Sequence, residues 1–230
     1  MQLKSVALLA GLLPLVSGHL VYLTAAHFEL VSWCIPYLEG CTSISKTGRY
    51  SPANYIFRAT MIPSAIFMMI YWKLISEWLI VMGDKKKLYN HAILYLGIIA
   101  AIFLILYVTA LGSEGQIYRL LRRYGVIIFF AFTYLAQLLL IYRLFYLVKH
   151  LKVNLPSYIY KTKLTLCVVQ LVIGLISLPV RAFYDGNDFN SRVENIVEWN
   201  FALMMILYFV VTYFAWQATA FEANFSVKRK

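Results

Sequence analysis

Apolar residues in this chain do not alternate; they run. Predominantly apolar stretches at residues 5–26, 55–82, 91–112, 124–148, 164–184 and 200–222 cover more than half of the 230 positions. Each is long enough to cross a hydrocarbon core of about 30 Å, which takes about 20 helical residues at a rise of about 1.5 Å each. Barrel strands would show short segments of strict alternation, and none occurs. In lipid no water satisfies stray backbone groups, so such stretches must be helical. The pattern predicts an all-α, polytopic bundle of six transmembrane helices. The connections leave no room for a separate soluble domain, so residues 1–230 read as a single integral membrane domain. Lys4, the apolar run after it and Val16-Ser17-Gly18 also have the general form of a cleaved leader. Apolar character continues through His19-Leu20-Val21-Tyr22-Leu23 with no polar start, so a retained first span is expected.

Composition agrees, with 62% hydrophobic and 13% charged residues, where soluble domains carry about 25% charged. The net charge of +11 does not point to nucleic acid, because it is unevenly distributed. With the N-terminus taken as cytoplasmic, thirteen basic and three acidic residues fall on the inner side, against eight and seven on the outer. The positive-inside bias therefore predicts two cytoplasmic termini. The basic inner face suits an anionic leaflet. Tyr22, Trp33, Tyr55 and Trp199 at outer ends, and Trp72, Trp78 and Tyr146 at inner ones, mark headgroup levels.

Elaboration is concentrated on the outer side. The first outer connection, 27–54, is longer than loops in compact domains usually are, and the connection 185–199 is acidic and turn-rich. Cys34 and Cys41 in the first form either a disulfide, in an oxidising compartment, or two free thiols. Arg58 and Arg181 lie about one turn inside outer helix ends. Glu194 and Glu198 are four apart and share a face if helical, which calls for a cation opposite. These charges read either as interfacial ion pairs or as a polar pocket, since charge at membrane depth is costly. Arg119, Arg122 and Arg123 are expected in an outer loop, against the positive-inside trend, and guanidinium matches phosphate bidentately. His19 reads as a hydrogen-bonded interhelical residue, while neutral imidazole also permits a base role. No Cys/His ligand spacing points to a metal, nothing calls for a cofactor, and Ser45, Ser51 and Ser64 lack a serine-nucleophile context.

The segments Ser43-Ile44-Ser45-Lys46-Thr47-Gly48 and Ser51-Pro52-Ala53-Asn54-Tyr55-Ile56-Phe57-Arg58 resemble the Frag/DRAM/Sfk superfamily of six-span membrane proteins. Glu198-Trp199 is similar to an acidic-aromatic pair in that family. Arg122-Arg123-Tyr124-Gly125 departs from the pattern, where some relatives have a histidine before a small residue. The resemblance implies lipid handling on the outer or lumenal side, including remodelling of glycosylphosphatidylinositol-anchor lipid. The partners expected are membrane lipids, among them a phosphate-bearing glycolipid. The compartment expected is a bacterial inner membrane or a eukaryotic endomembrane, according to source. If a reaction is catalysed, acyl transfer is the expectation, with His27 or Glu198 as base. Ser45, Arg58, Arg181, Glu194, Arg119, Arg122 and Arg123 would then bind substrate. A non-catalytic membrane regulator or scaffold is the alternative. A small transporter or channel ranks behind both, because the midplane is nearly all apolar.

Overall fold

A computed structural model describes the backbone of residues 2–183 and 188–222 and the side chains of 2–176 and 191–222. The described chain is helical: α1 (Lys4–His27), α2 (Pro36–Glu39), α3 (Ile44–Thr47), α4 (Ala53–Val81), α5 (Lys87–Ala110), α6 (Gln116–His150), α7 (Ser157–Phe183) and α8 (Asp188–Ala218). Six of these are long and apolar enough to cross a membrane. They pack as a ring in the order α7, α8, α1, α4, α5, α6, and the α6–α7 contact closes it. One end carries the 28–52 connection and the α5–α6 turn and is called the loop-rich end. The other carries Lys85, Lys86 and Lys87 and is called the lysine-rich end.

Helices run beyond the apolar stretches. Arg119, Arg122 and Arg123, expected in a loop, lie on the first turns of α6. Glu194 and Glu198 lie on α8 rather than in a connection. Hydropathy marks where a chain must be helical, not where it must stop, because headgroups and water tolerate a charged helical turn. Lys163, one residue before the apolar stretch 164–184, is fully buried on α7. Its Nζ donates to the Tyr208 carbonyl at 3.1 Å and the Thr212 hydroxyl at 2.8 Å, over the Tyr208 ring.

The long connection folds back onto the bundle as α2 and α3. Pro36 occupies the first turn of α2, where a missing N–H is harmless. Gly40 ends it in the left-handed region at φ 60°, and a side chain there would collide with the Arg192 backbone. Cys34 and Cys41 form a disulfide across this segment. Ser43 caps α3 by accepting the Lys46 N–H at 3.1 Å. Three α8-side donors then hold the loop: Asn195 to the Gly40 carbonyl, Trp199 Nε1 to that of Thr42, and Asn200 to that of Tyr37, at 2.8–2.9 Å.

At the lysine-rich end Asp84 and Arg143 form a bidentate ion pair of 2.6 and 2.8 Å, both side chains being almost fully buried. The Tyr89 and Tyr146 rings lie 5.2 and 4.6 Å from the guanidinium. Asp84 also accepts the Lys86 N–H at 2.9 Å.

Candidate functional site

The last turn of α5 ends at the loop-rich end with unpaired carbonyls and the negative end of the helix dipole, and both attract cations. Arg58 on α4 donates through Nη2 to the carbonyls of Thr109 (3.2 Å) and Leu111 (2.6 Å). Asn54, one turn earlier, donates to Leu111 (3.1 Å) and to Gly48 (2.7 Å). Arg122 on α6 donates through Nη1 to Ala110 (3.2 Å) and Ser113 (2.5 Å). The segment from Ser43 to Arg58 thus fastens α3, α4 and α5 together. Gly112 makes the tight approach possible at φ +83°, since a Cβ there would stand 2.6 Å from the Arg49 carbonyl oxygen.

Inside the ring, below this clasp, is an apolar cavity of about 80 Å³. Its walls include Pro14 and Gly18 of α1, Phe57 and Met61 of α4, Leu104 of α5, Phe129 of α6, and Ala202 and Phe209 of α8. Polar groups line it at His19, Tyr37, Tyr107 and Glu198. His19 Nδ1 donates to the Leu15 carbonyl at 2.7 Å, which leaves Nε2 as the acceptor for the Tyr37 hydroxyl at 3.1 Å. Burial pushes the Tyr37 phenol above its ordinary 10.0, so it stays a donor. The rings of Tyr22, Tyr37 and His19 surround Trp199. Glu198 accepts the backbone N–H groups of Ile44 and Ser45 and is electrostatically coupled to Glu194. Tyr107 is 4% exposed. Its Oη has no well-formed hydrogen bond; the Ser45 hydroxyl approaches too loosely to satisfy it.

Tyr107 is also electrostatically coupled to Arg49 and Arg122. These two, with Arg119, Tyr50, Gly112, Ser113, Glu114 and Gly115, line a second, polar pocket of about 340 Å³ at the α5–α6 turn. Tyr107 lines the apolar cavity from α5, and the basic pocket is formed beyond the end of that helix.

The site residues expected from sequence divide accordingly. Glu198 lines the apolar cavity with the Ser45 backbone beside its carboxyl, though Ser45 itself does not line the cavity, and Arg119 and Arg122 line the basic pocket. His27 is exposed at the end of α1 and lines neither. The histidine that faces the cavity is His19, eight residues and just over two turns deeper. Arg58 lines neither pocket and, among the described residues, forms no ion pair with Glu198; the α5 carbonyls hold it instead. Arg123 is exposed outside the basic pocket. Glu194 lies one turn before Glu198, and the side chain of Arg181 lies outside the described residues. Sequence reasoning missed Arg49, Tyr37 and Tyr107. Arg49 stands between the two recognised segments, and Tyr107 has the look of an ordinary interfacial tyrosine. Among the described residues no three His, Cys, Asp or Glu side chains come together as metal ligands.

Six membrane-length helices enclosing a polar-rimmed cavity define a multi-pass integral membrane protein of the helical class. The Frag1/DRAM/Sfk1/Cwh43P N-terminal domain family matches residues 2–219, and the chain belongs to that family. No curated protein and no solved structure matches the chain.

Proposed function

We propose that this protein engages the headgroup of a membrane lipid or glycolipid at its loop-rich end, on the outer or lumenal side. In this role it takes part in remodelling lipids or lipid anchors, or in organising membrane lipid. The observation that carries the reading is the apolar cavity inside the helix ring, with hydrogen-bonding groups at its rim. Such a cavity suits part of an apolar chain, and its polar rim suits the more hydrated portion of the same molecule. Glu198 and Ser45 would contact the polar portion. Arg119 and Arg122 would contact a charged group beside it.

Filling the cavity tests this. Ala202 faces it from α8, and Ala202→Phe should close it and remove lipid that co-purifies in mild detergent. Native mass spectrometry reads that loss directly. Unchanged lipid retention in a folded Ala202→Phe protein would overturn the proposal.

A catalytic version is favoured by the position of Glu198 on the cavity wall with its carboxylate held by two backbone N–H groups. Glu198→Gln keeps the size of the side chain and removes the base. Loss of lipid turnover with lipid retention intact marks an acyl-transfer enzyme. Full function in that variant marks a non-catalytic regulator.

A further inference from the structure

We propose that residues 33–39 form a re-entrant membrane element. The connection after α1 turns back to the boundary between headgroups and acyl chains, where Trp33, Ile35 and Leu38 enter the leaflet at the loop-rich end. This placement holds whether or not the cavity takes a lipid.

Depth decides it. Lys4 begins α1 at the lysine-rich end. A hydrocarbon core of about 30 Å measured from there, at about 1.5 Å per residue, ends near Thr24. The connection does not stay beyond that level. The Tyr22 hydroxyl accepts the Cys34 N–H at 2.8 Å and donates to the Cys34 carbonyl at 2.7 Å. Tyr37 reaches His19, about one turn deeper along α1. Side chains lean towards the N-terminus of their helix, so these contacts lie no shallower than the α1 residues that make them.

Backbone that leaves water needs partners, and non-helical segments persist at membrane depth only where protein supplies them. Here protein does. Besides the two bonds from Tyr22, the Glu39 carboxylate accepts the Ile35 N–H at 2.7 Å, and Pro36 has no N–H to satisfy. Asn200 donates to the Tyr37 carbonyl at 2.9 Å and Asn195 to that of Gly40 at 2.8 Å. A loop in water would draw on solvent for these bonds. The Cys34–Cys41 disulfide closes the segment on itself. Its large apolar side chains, by contrast, face away from the protein: Trp33, Ile35 and Leu38 are 65%, 55% and 73% exposed. Glu39 is the one charged residue between Leu30 and Ser45. It adjoins Gly40, which packs on the Arg192 backbone, about two turns nearer the headgroups than Asn200. An apolar face bearing an indole, with its backbone satisfied from the protein side, fits acyl chains just beneath the headgroups.

Trp33 is a built-in reporter, because Trp72, Trp78, Trp199 and Trp216 are all buried. The full chain is reconstituted in phosphatidylcholine vesicles. Quenching by iodide on both sides of the bilayer is compared with quenching by phosphatidylcholine brominated near the top of its acyl chains. The parent should lose emission to the brominated lipid and none to iodide. Trp33→Phe should remove most of that loss, and Leu38→Trp in the Trp33→Phe background should restore it. Iodide quenching at either position puts the segment in water and overturns the proposal. An indole at either position that neither agent reaches also overturns it, since protein, such as a second copy of the chain, would then cover this face. Iodide acting on the parent can reach only Trp33, so that measurement decides even if a variant misfolds.

Discussion

The Asp84–Arg143 pair is the sharpest test of how this bundle is held at its lysine-rich end. Asp84→Asn removes one charge and leaves the guanidinium in place. Were the pair solvent-exposed, the loss would be about 0–1 kcal/mol. Here the side chains are 0% and 2% exposed, and Arg143 donates to both carboxylate oxygens at 2.8 and 2.6 Å. An unpaired charge at such a site costs about 3–5 kcal/mol. The Tyr89 and Tyr146 faces continue to shelter the cation and offset part of this, by about 0.5–1 kcal/mol each. We expect a net loss of about 3 kcal/mol for Asp84→Asn, a fall in Tm on the order of 10 °C. The double variant Asp84→Leu, Arg143→Met removes both charges and should recover most of the loss, because buried pairs replaced by apolar groups are often nearly neutral. About 1 kcal/mol should remain, from the Lys86 N–H that Asp84 accepts. Thermal unfolding in mild detergent, followed by tryptophan fluorescence, measures all three proteins. A loss below about 1 kcal/mol for the single variant, or a double variant no more stable than the single, would refute the reasoning.

Two further outcomes are expected. The positive-inside bias predicts cytoplasmic termini, so in cells that carry the protein in the surface membrane Lys86→Cys in a background lacking Cys34, Cys41 and Cys167 should resist an impermeant thiol reagent, whereas Lys46→Cys should react; the reverse labelling would invert the orientation. Gly125→Leu should destabilise by about 1–3 kcal/mol, because a Cβ there already stands 2.8 Å from the Tyr107 Cβ and 3.1 Å from the Phe103 carbonyl oxygen; a melting temperature equal to the parent's would show that α6 does not lie so close to α5.

How much was legible in the sequence follows from what lipid does to the hydrophobic signal. Apolar run length alone determined six helices of membrane length, because backbone groups in hydrocarbon have no other partner. The same signal cannot say which side of a helix meets protein, since lipid and protein interior are equally apolar and the 3.6-residue contrast fades. Nothing along the chain therefore distinguished Tyr107, buried against the cavity, from Tyr95, which is exposed. Nor could charge spacing reveal partners. Arg58 looked like a counter-ion for Glu198, yet the ends of α5 and α8 each supply their own chemistry: helix carbonyls for the arginine, loop N–H groups for the glutamate. Asp84 and Arg143 lie 59 residues apart and meet only because α5 and α6 return the chain to the same end. Sequence by itself determined the helices, the elaborate end and the motif that clasps it. Tertiary structure decided which polar groups that clasp consumes and which it leaves facing the cavity, because hydrogen-bond partners are assigned by where helix ends meet, a property of the packed ring and of no segment alone.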